Sequence, residues 1–187
     1  MKSRECNLRT AVLLSIVVVG GACENPLEQA DPSWVRATVV QADSSAAFTG
    51  DGFFGTTQGF SIASRGQGES EGETVILSSS LDALAAPGFY LLTQTPRAGS
   101  FTGVYRRVLE DGTKERYAVT SGEVIVAGSS HERVEGAFSF TAELFCRTPA
   151  GAIQGQCHPG SLIPGVEPLA VEGSFSVGPY PIFTVGS

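Results

Sequence analysis

Several short stretches of this sequence have the residue types and spacing from which chemistry is built. Gly68-Glu69-Ser70-Glu71-Gly72 matches G-x-S-x-G, the turn that presents a nucleophilic serine between a strand and a helix in many hydrolases. The surrounding SRGQGESEGE is polar and glycine-rich, and no helical pattern follows. Two flanking glutamates would also oppose a developing oxyanion. The stretch therefore reads as a solvated loop. The same loop sets Glu69, Glu71 and Glu73 at alternate positions. Carboxylate oxygens bind Ca²⁺, but no EF-hand spacing accompanies them. His131 and His158 are the two histidines. Each is a general base by type, yet neither has a nucleophile at a recognisable spacing. No phosphate-binding loop motif occurs, and a glycosidase carboxylate pair is defined in space rather than along a chain. No catalytic residue, cofactor or metal site is assigned.

The four cysteines divide by position. Cys146 and Cys157 form an even pair, and the turn-rich RTPAGAIQGQ between them lets the chain double back. In an oxidising compartment a disulfide is expected, and a loop of this size stabilises by about 3 kcal/mol on chain-entropy grounds. A metal site using both cysteines and His158 falls short of the four closed ligands of structural zinc.

Cys23 belongs to a different context. Lys2, Arg4 and Arg9 precede the apolar run Ala11 to Ala22. That run is too short for a spanning helix, which takes roughly 20 residues. A basic start, a short apolar stretch and small residues before a cut site mark a secretory signal. Gly20-Gly21-Ala22-Cys23 resembles the bacterial lipobox, although Gly20 stands where an aliphatic residue is preferred. The resemblance implies cleavage before Cys23, lipidation of that residue, and a signal peptide over 1–22, which removes Cys6. Residues 23–33 then form a lipidated, proline-containing tether. Glu24 follows the cysteine in place of the Asp that resembles an inner-membrane retention signal, so an outer-membrane anchor is expected. Acyl chains contribute about 0.8 kcal/mol per buried methylene, and the domain itself need not touch lipid.

The chain carries a net charge of −7. Removing residues 1–22 takes away three cations and one anion and leaves −9. An acidic domain argues against nucleic acid, which is bound through a basic face, and against electrostatic adhesion to anionic lipid.

The elements that must hold these residues are strands. Residues 34–187 suit a single domain. No sustained 3.6-residue apolar period occurs; short alternating runs between Gly and Ser predict strands. They are Trp34–Gln41, Gly59–Ser64, Thr74–Ser79, Gly88–Gln94, Phe101–Leu109, Glu115–Thr120, Glu123–Ala127, Val134–Cys146 and Ala170–Val177, with Phe48–Phe54 as a further candidate. Asp111-Gly112 predicts a hairpin, and Gly128 to Glu132 a second. Ser80 as cap and Pro87-Gly88 as stop predict a short helix over Leu81–Ala86. The fold class is all-β, a mainly antiparallel sandwich or barrel of about 8–10 strands. Val134-Glu135-Gly136-Ala137-Phe138-Ser139-Phe140 is echoed by Val171-Glu172-Gly173-Ser174-Phe175-Ser176-Val177, and each Gly permits close approach of a ring or backbone. Arg106, Arg107, Lys114 and Arg116, with Glu110, Asp111 and Glu115, read as a mixed, exposed charge face.

Gly88-Phe89-Tyr90-Leu91, Ser121-Gly122-Glu123-Val124-Ile125-Val126 and Val134 to Ala142 together resemble a group of bacterial β-rich lipoproteins of unknown function, over roughly residues 88–177. The resemblance implies an all-β envelope domain and assigns no site residue.

Three functions follow. The first is a membrane-anchored envelope lipoprotein with a non-enzymatic β domain that binds a protein or glycan partner. Its candidate contacts are Trp34, Phe53, Phe54 and the Pro179-Tyr180-Pro181 tail. The second is a lipocalin-like carrier of a small apolar ligand. The third, and weakest, is a hydrolase.

Overall fold

The computed structural model describes residues 32–57, 59–81, 83–152, 157–158 and 160–180. Cys23, the signal and most of the tether lie outside these residues. The strands are β1 (Trp34–Gln41), β2 (Ser44–Gly55), β3 (Ser61–Gly66), β4 (Thr74–Ser79), β5 (Gly88–Thr93), β6 (Phe101–Val108), β7 (Lys114–Ser129), β8 (Val134–Thr148) and β9 (Leu169–Pro179). Among the described residues the helical content is one 3-10 turn, Gly68–Ser70.

The strands close into a barrel in the order β1-β2-β3-β4-β6-β5-β7-β8-β9, with β9 returning to β1. Strand β7 is long enough to serve two partners. Its first half pairs with β6, from Lys114 opposite Val108 to Ala118 opposite Val104. Its second half pairs with β5, from Ser121 opposite Thr93 to Val126 opposite Gly88. The sequence predicts two strands here. One strand forms instead, because irregularities at Val119/Ser121 and Val126/Gly128 absorb the breaks in alternation. Gly122, with φ 149°, supplies a conformation that side chains rarely adopt.

Alternation sorts each strand into an inner and an outer row. In β1, Val35, Ala37 and Val39 are buried while Arg36, Thr38 and Val40 are exposed. The inner rows fill the barrel with Phe48, Phe54, Phe60, Phe101, Tyr105, Tyr117, Phe138, Phe140 and Phe175, together with aliphatic side chains. An apolar interior and a polar exterior invert the pattern of a membrane-spanning barrel. Among the described residues no helix is long and apolar enough to cross a membrane.

The two echoed segments are neighbours. Val134 faces Val177, Gly136 faces Phe175, Phe138 faces Gly173 and Phe140 faces Val171. Each glycine thus sits opposite the other segment's phenylalanine. A Cβ on Gly136 would lie 2.7 Å from the Phe175 ring, and one on Gly173 would lie 2.7 Å from the Phe138 ring.

The described residues of the predicted helix, Leu81 and 83–86, are not helical. Their polar groups and apolar side chains are used in tertiary contacts that a helix would forfeit. The Leu81 carbonyl accepts from the Phe60 N–H at 2.8 Å, the Ala86 carbonyl accepts from the Tyr90 hydroxyl at 2.7 Å, and Ala85 is fully buried. The predicted hairpin at Asp111-Gly112 is present, with Gly112 at φ 80° and the Asp111 carboxylate accepting from the Thr113 N–H and hydroxyl.

Candidate functional site

The pleat separates the charges around the β6–β7 hairpin, which the sequence reads as one exposed face. Arg107 and Glu115 point inward and close one end of the barrel. Glu115 is buried. Its Oε2 accepts from Arg107 Nε at 2.8 Å and from the Tyr117 hydroxyl at 2.7 Å, and its Oε1 accepts from Arg147 at 2.6 Å and 2.8 Å. Arg107 also donates to the Tyr117 hydroxyl at 2.7 Å and to Gln41 Oε1 at 2.8 Å. Burial alone would raise the Glu115 pKa. The bonds from Tyr117, Arg107 and Arg147 outweigh it and hold the carboxyl below its ordinary value. Burial, then the bond to Glu115, pushes Tyr117 up to about 12. Next to this network, burial raises the pKa of Glu73, while a bond from Tyr105 opposes the rise. Every buried polar side-chain atom described has a partner, and the Glu115 carboxylate is fully engaged by Arg107, Arg147 and Tyr117.

Ser70 departs from the expected solvated loop. It is buried, and its hydroxyl accepts from the Thr49 N–H and donates to the Ala47 carbonyl, both at 3.2 Å. It latches the β3–β4 connection to β2. His131 is exposed in the β7–β8 turn and His158 is exposed beside Cys157. Glu69 and Glu71 are exposed whereas Glu73 packs toward Tyr105. No group of three or more metal-ligating side chains converges among the described residues.

Cys146 and Cys157 are disulfide-bonded with Cα atoms 5.5 Å apart. The bond fastens the β8–β9 connection over a small core on the outside of the barrel, made by Val104, Ala118, Phe145 and Leu162.

The aromatic candidates occupy separate places. Phe54 is in the core against Phe60. Phe53 lies on the other side of β2, with its ring 4.8 Å from that of Tyr180 in an edge contact. Trp34 is half-buried beneath the Arg36 guanidinium, 5.0 Å from its ring.

Tyr180 is itself 53% exposed, and a further group of exposed apolar side chains lies elsewhere. Phe89 is 59% exposed, Leu91 58% and Ile125 44%. Phe89 is register partner of Ile125, which faces Ala137, which faces Ser174. The next outer row runs Leu91, Glu123, Ser139, Glu172, Thr38. The small side chains of β8 and β9 leave shallow depressions beside the apolar group. One of about 330 Å³ is bordered by Thr38, Val40, Ser121, Thr141, Ala170 and Glu172. Strand β5 pairs fully with β7 but meets β6 only at Leu92 and Phe101. Over 88–91 its other edge has no strand partner among the described residues. The result is an apolar ridge at a half-open edge, beside an acidic, small-residue floor. The sequence held a signal for it: Phe89-Tyr90-Leu91-Leu92 is apolar on both faces of the pleat, and only one face can point into a barrel.

No family model, curated protein or solved structure matches this chain.

Proposed function

We propose that this chain is an exported, lipid-anchored envelope protein whose barrel is a non-enzymatic docking module for an extended segment of a partner protein. The observation that carries the reading is the cluster of Phe89 and Leu91, exposed on β5 with its half-unpaired edge, and Ile125 beside them on β7. Contiguous exposed apolar side chains mark interaction surfaces. A free strand edge accepts a further strand through main-chain hydrogen bonds, with alternate side chains giving specificity. Glu123 is the register partner of Leu91, an acid beside the ridge that favours a Lys or Arg among the apolar residues of the fitting segment. The aromatic-filled interior and the surface position of the depressions favour this reading over a carrier.

The anchor rests on the lipobox-like Gly20-Gly21-Ala22-Cys23 and the outer-membrane placement on Glu24. A photoreactive residue at Leu91 tests the docking surface in intact source cells. The expected result is one cross-linked protein, absent when the same group is placed at the exposed Glu69. No adduct, or equal adducts at both positions, overturns the proposal. Adducts to glycan alone would replace the protein partner with a sugar. For the anchor, a mature chain starting at Cys23 with added acyl mass is expected, and an unmodified chain refutes it.

A further inference from the structure

Arg106 and Arg116 are direct cross-strand partners on the outer face of β6 and β7. Side chains so placed have Cβ atoms about 5 Å apart, and like charges there destabilise a sheet. The rest of the domain is acidic, with carboxylates enough to neutralise both. Yet neither guanidinium has an ion-pair partner among the described residues; both ion pairs found there go to Glu115, from Arg107 and Arg147. Lys114 is exposed on the same strand, and Thr74 is the register partner of Arg106 on β4. These residues border a depression of about 290 Å³, together with Arg107 and Glu115, whose carboxylate is engaged by Arg107, Arg147 and Tyr117. Four of the nine Lys and Arg residues after Cys23 fall within 106–116. Burial, and then the Arg116 charge, lower the pKa of Arg106.

We propose that Arg106 and Arg116, with Lys114 and Thr74, form a binding site for a phosphate-class oxyanion on the outer face of β4, β6 and β7. A planar guanidinium fork matches the oxygens of a phosphate group, and two of them stand on adjacent strands here. Lys114 adds a third positive charge, and the Thr74 hydroxyl adds a neutral donor. The bound anion neutralises a repulsion that the fold otherwise retains. The site uses the first half of β7 whereas the apolar cluster uses its second half, at Ile125, and it does not depend on the docking reading.

The test titrates the purified full chain with inorganic phosphate and, separately, with phosphatidylcholine vesicles that contain or lack phosphatidic acid. Binding is expected in one or both phosphate-bearing arms, weakening as salt is raised. Arg106→Gln and Arg116→Gln should each lose about ten- to hundredfold in affinity, and Arg106→Lys should lose part of it. Arg36→Gln, at the exposed cation beside Trp34, should bind as wild type. The Gln variants should melt no lower than wild type, because each relieves the like-charge pair; this separates a ligand site from a structural one. Phosphate binding without vesicle preference identifies a phosphorylated solute, and preference for phosphatidic acid vesicles identifies a lipid headgroup. Absence of binding in both arms, or equal loss in Arg36→Gln, overturns the proposal.

Discussion

Replacing Gly136 or Gly173 with alanine tests the packing logic of the barrel at its tightest seam. A Cβ on Gly136 would lie 2.0 Å from the Ile125 carbonyl oxygen and 2.7 Å from the Phe175 ring. A Cβ on Gly173 would lie 2.4 Å from the Arg36 carbonyl oxygen, 2.7 Å from the Ala37 Cβ and 2.7 Å from the Phe138 ring. A ring can rotate away, but a ladder carbonyl cannot move without opening the strand pair. Overpacking costs about 1–3 kcal/mol, and backbone contacts this close place both variants at the upper end. For a chain of this size each kcal/mol lowers Tm by roughly 2–4 °C, so a fall of about 5–10 °C is expected for either. Gly128→Ala is the control, since its Cβ would meet only Glu135 Oε2, at 3.9 Å. Alanine there removes the conformational cost of a strand glycine, about 0.5–1 kcal/mol, so Tm should hold or rise. Thermal unfolding followed by near-ultraviolet circular dichroism reads all three. If Gly136→Ala and Gly173→Ala melt with wild type, the reciprocal glycine–phenylalanine packing is not what fixes the β8–β9 register.

Glu115→Gln should destabilise by about 3 kcal/mol at neutral pH, since it leaves Arg107 and Arg147 without their counter-charge. Because the Glu115 pKa is depressed on folding, its contribution is present above the ordinary carboxylate pKa and is lost as pH falls through the folded value. The gap between wild type and variant, measured by urea unfolding, should therefore close on acidification; a pH-independent gap refutes the ion network. Cys146→Ser with Cys157→Ser should cost about 3 kcal/mol in the same assay, with proteolysis starting in the connection between β8 and β9. Phe89→Ser with Leu91→Ser should change stability by no more than about 0.5 kcal/mol, as surface substitutions do; a large fall in Cm would place these side chains in the core instead.

Much of the strand pattern was legible because the barrel is filled from one face, so alternation survives in nearly every strand. Trp34–Gln41 and Thr74–Ser79 have the predicted ends, and the echoed segments have the close ring approach that their glycines imply. Leu81–Ala86 was misread because its capping signals are local, whereas the Leu81 carbonyl and the Ala85 side chain are committed to distant partners. Ser70 gave no sequence sign of burial, since its partners, Ala47 and Thr49, lie on another strand. The Arg106–Arg116 pair was not fixed by the turn signal: a turn centred between Asp111 and Gly112 would set 106 opposite 117, whereas the register of β6 and β7 centres on Asp111. The inward commitment of Glu115 required Arg147, from β8, which pattern alone does not place.

Native mass spectrometry of the protein extracted in detergent from its own membranes tests the central claim most directly, comparing wild type with Leu91→Ser/Ile125→Ser. The account predicts a lipidated chain beginning at Cys23 that carries one additional polypeptide mass in wild type and loses it in the variant. A chain alone in both samples, or the same partner retained by the variant, would contradict docking at the β5 edge.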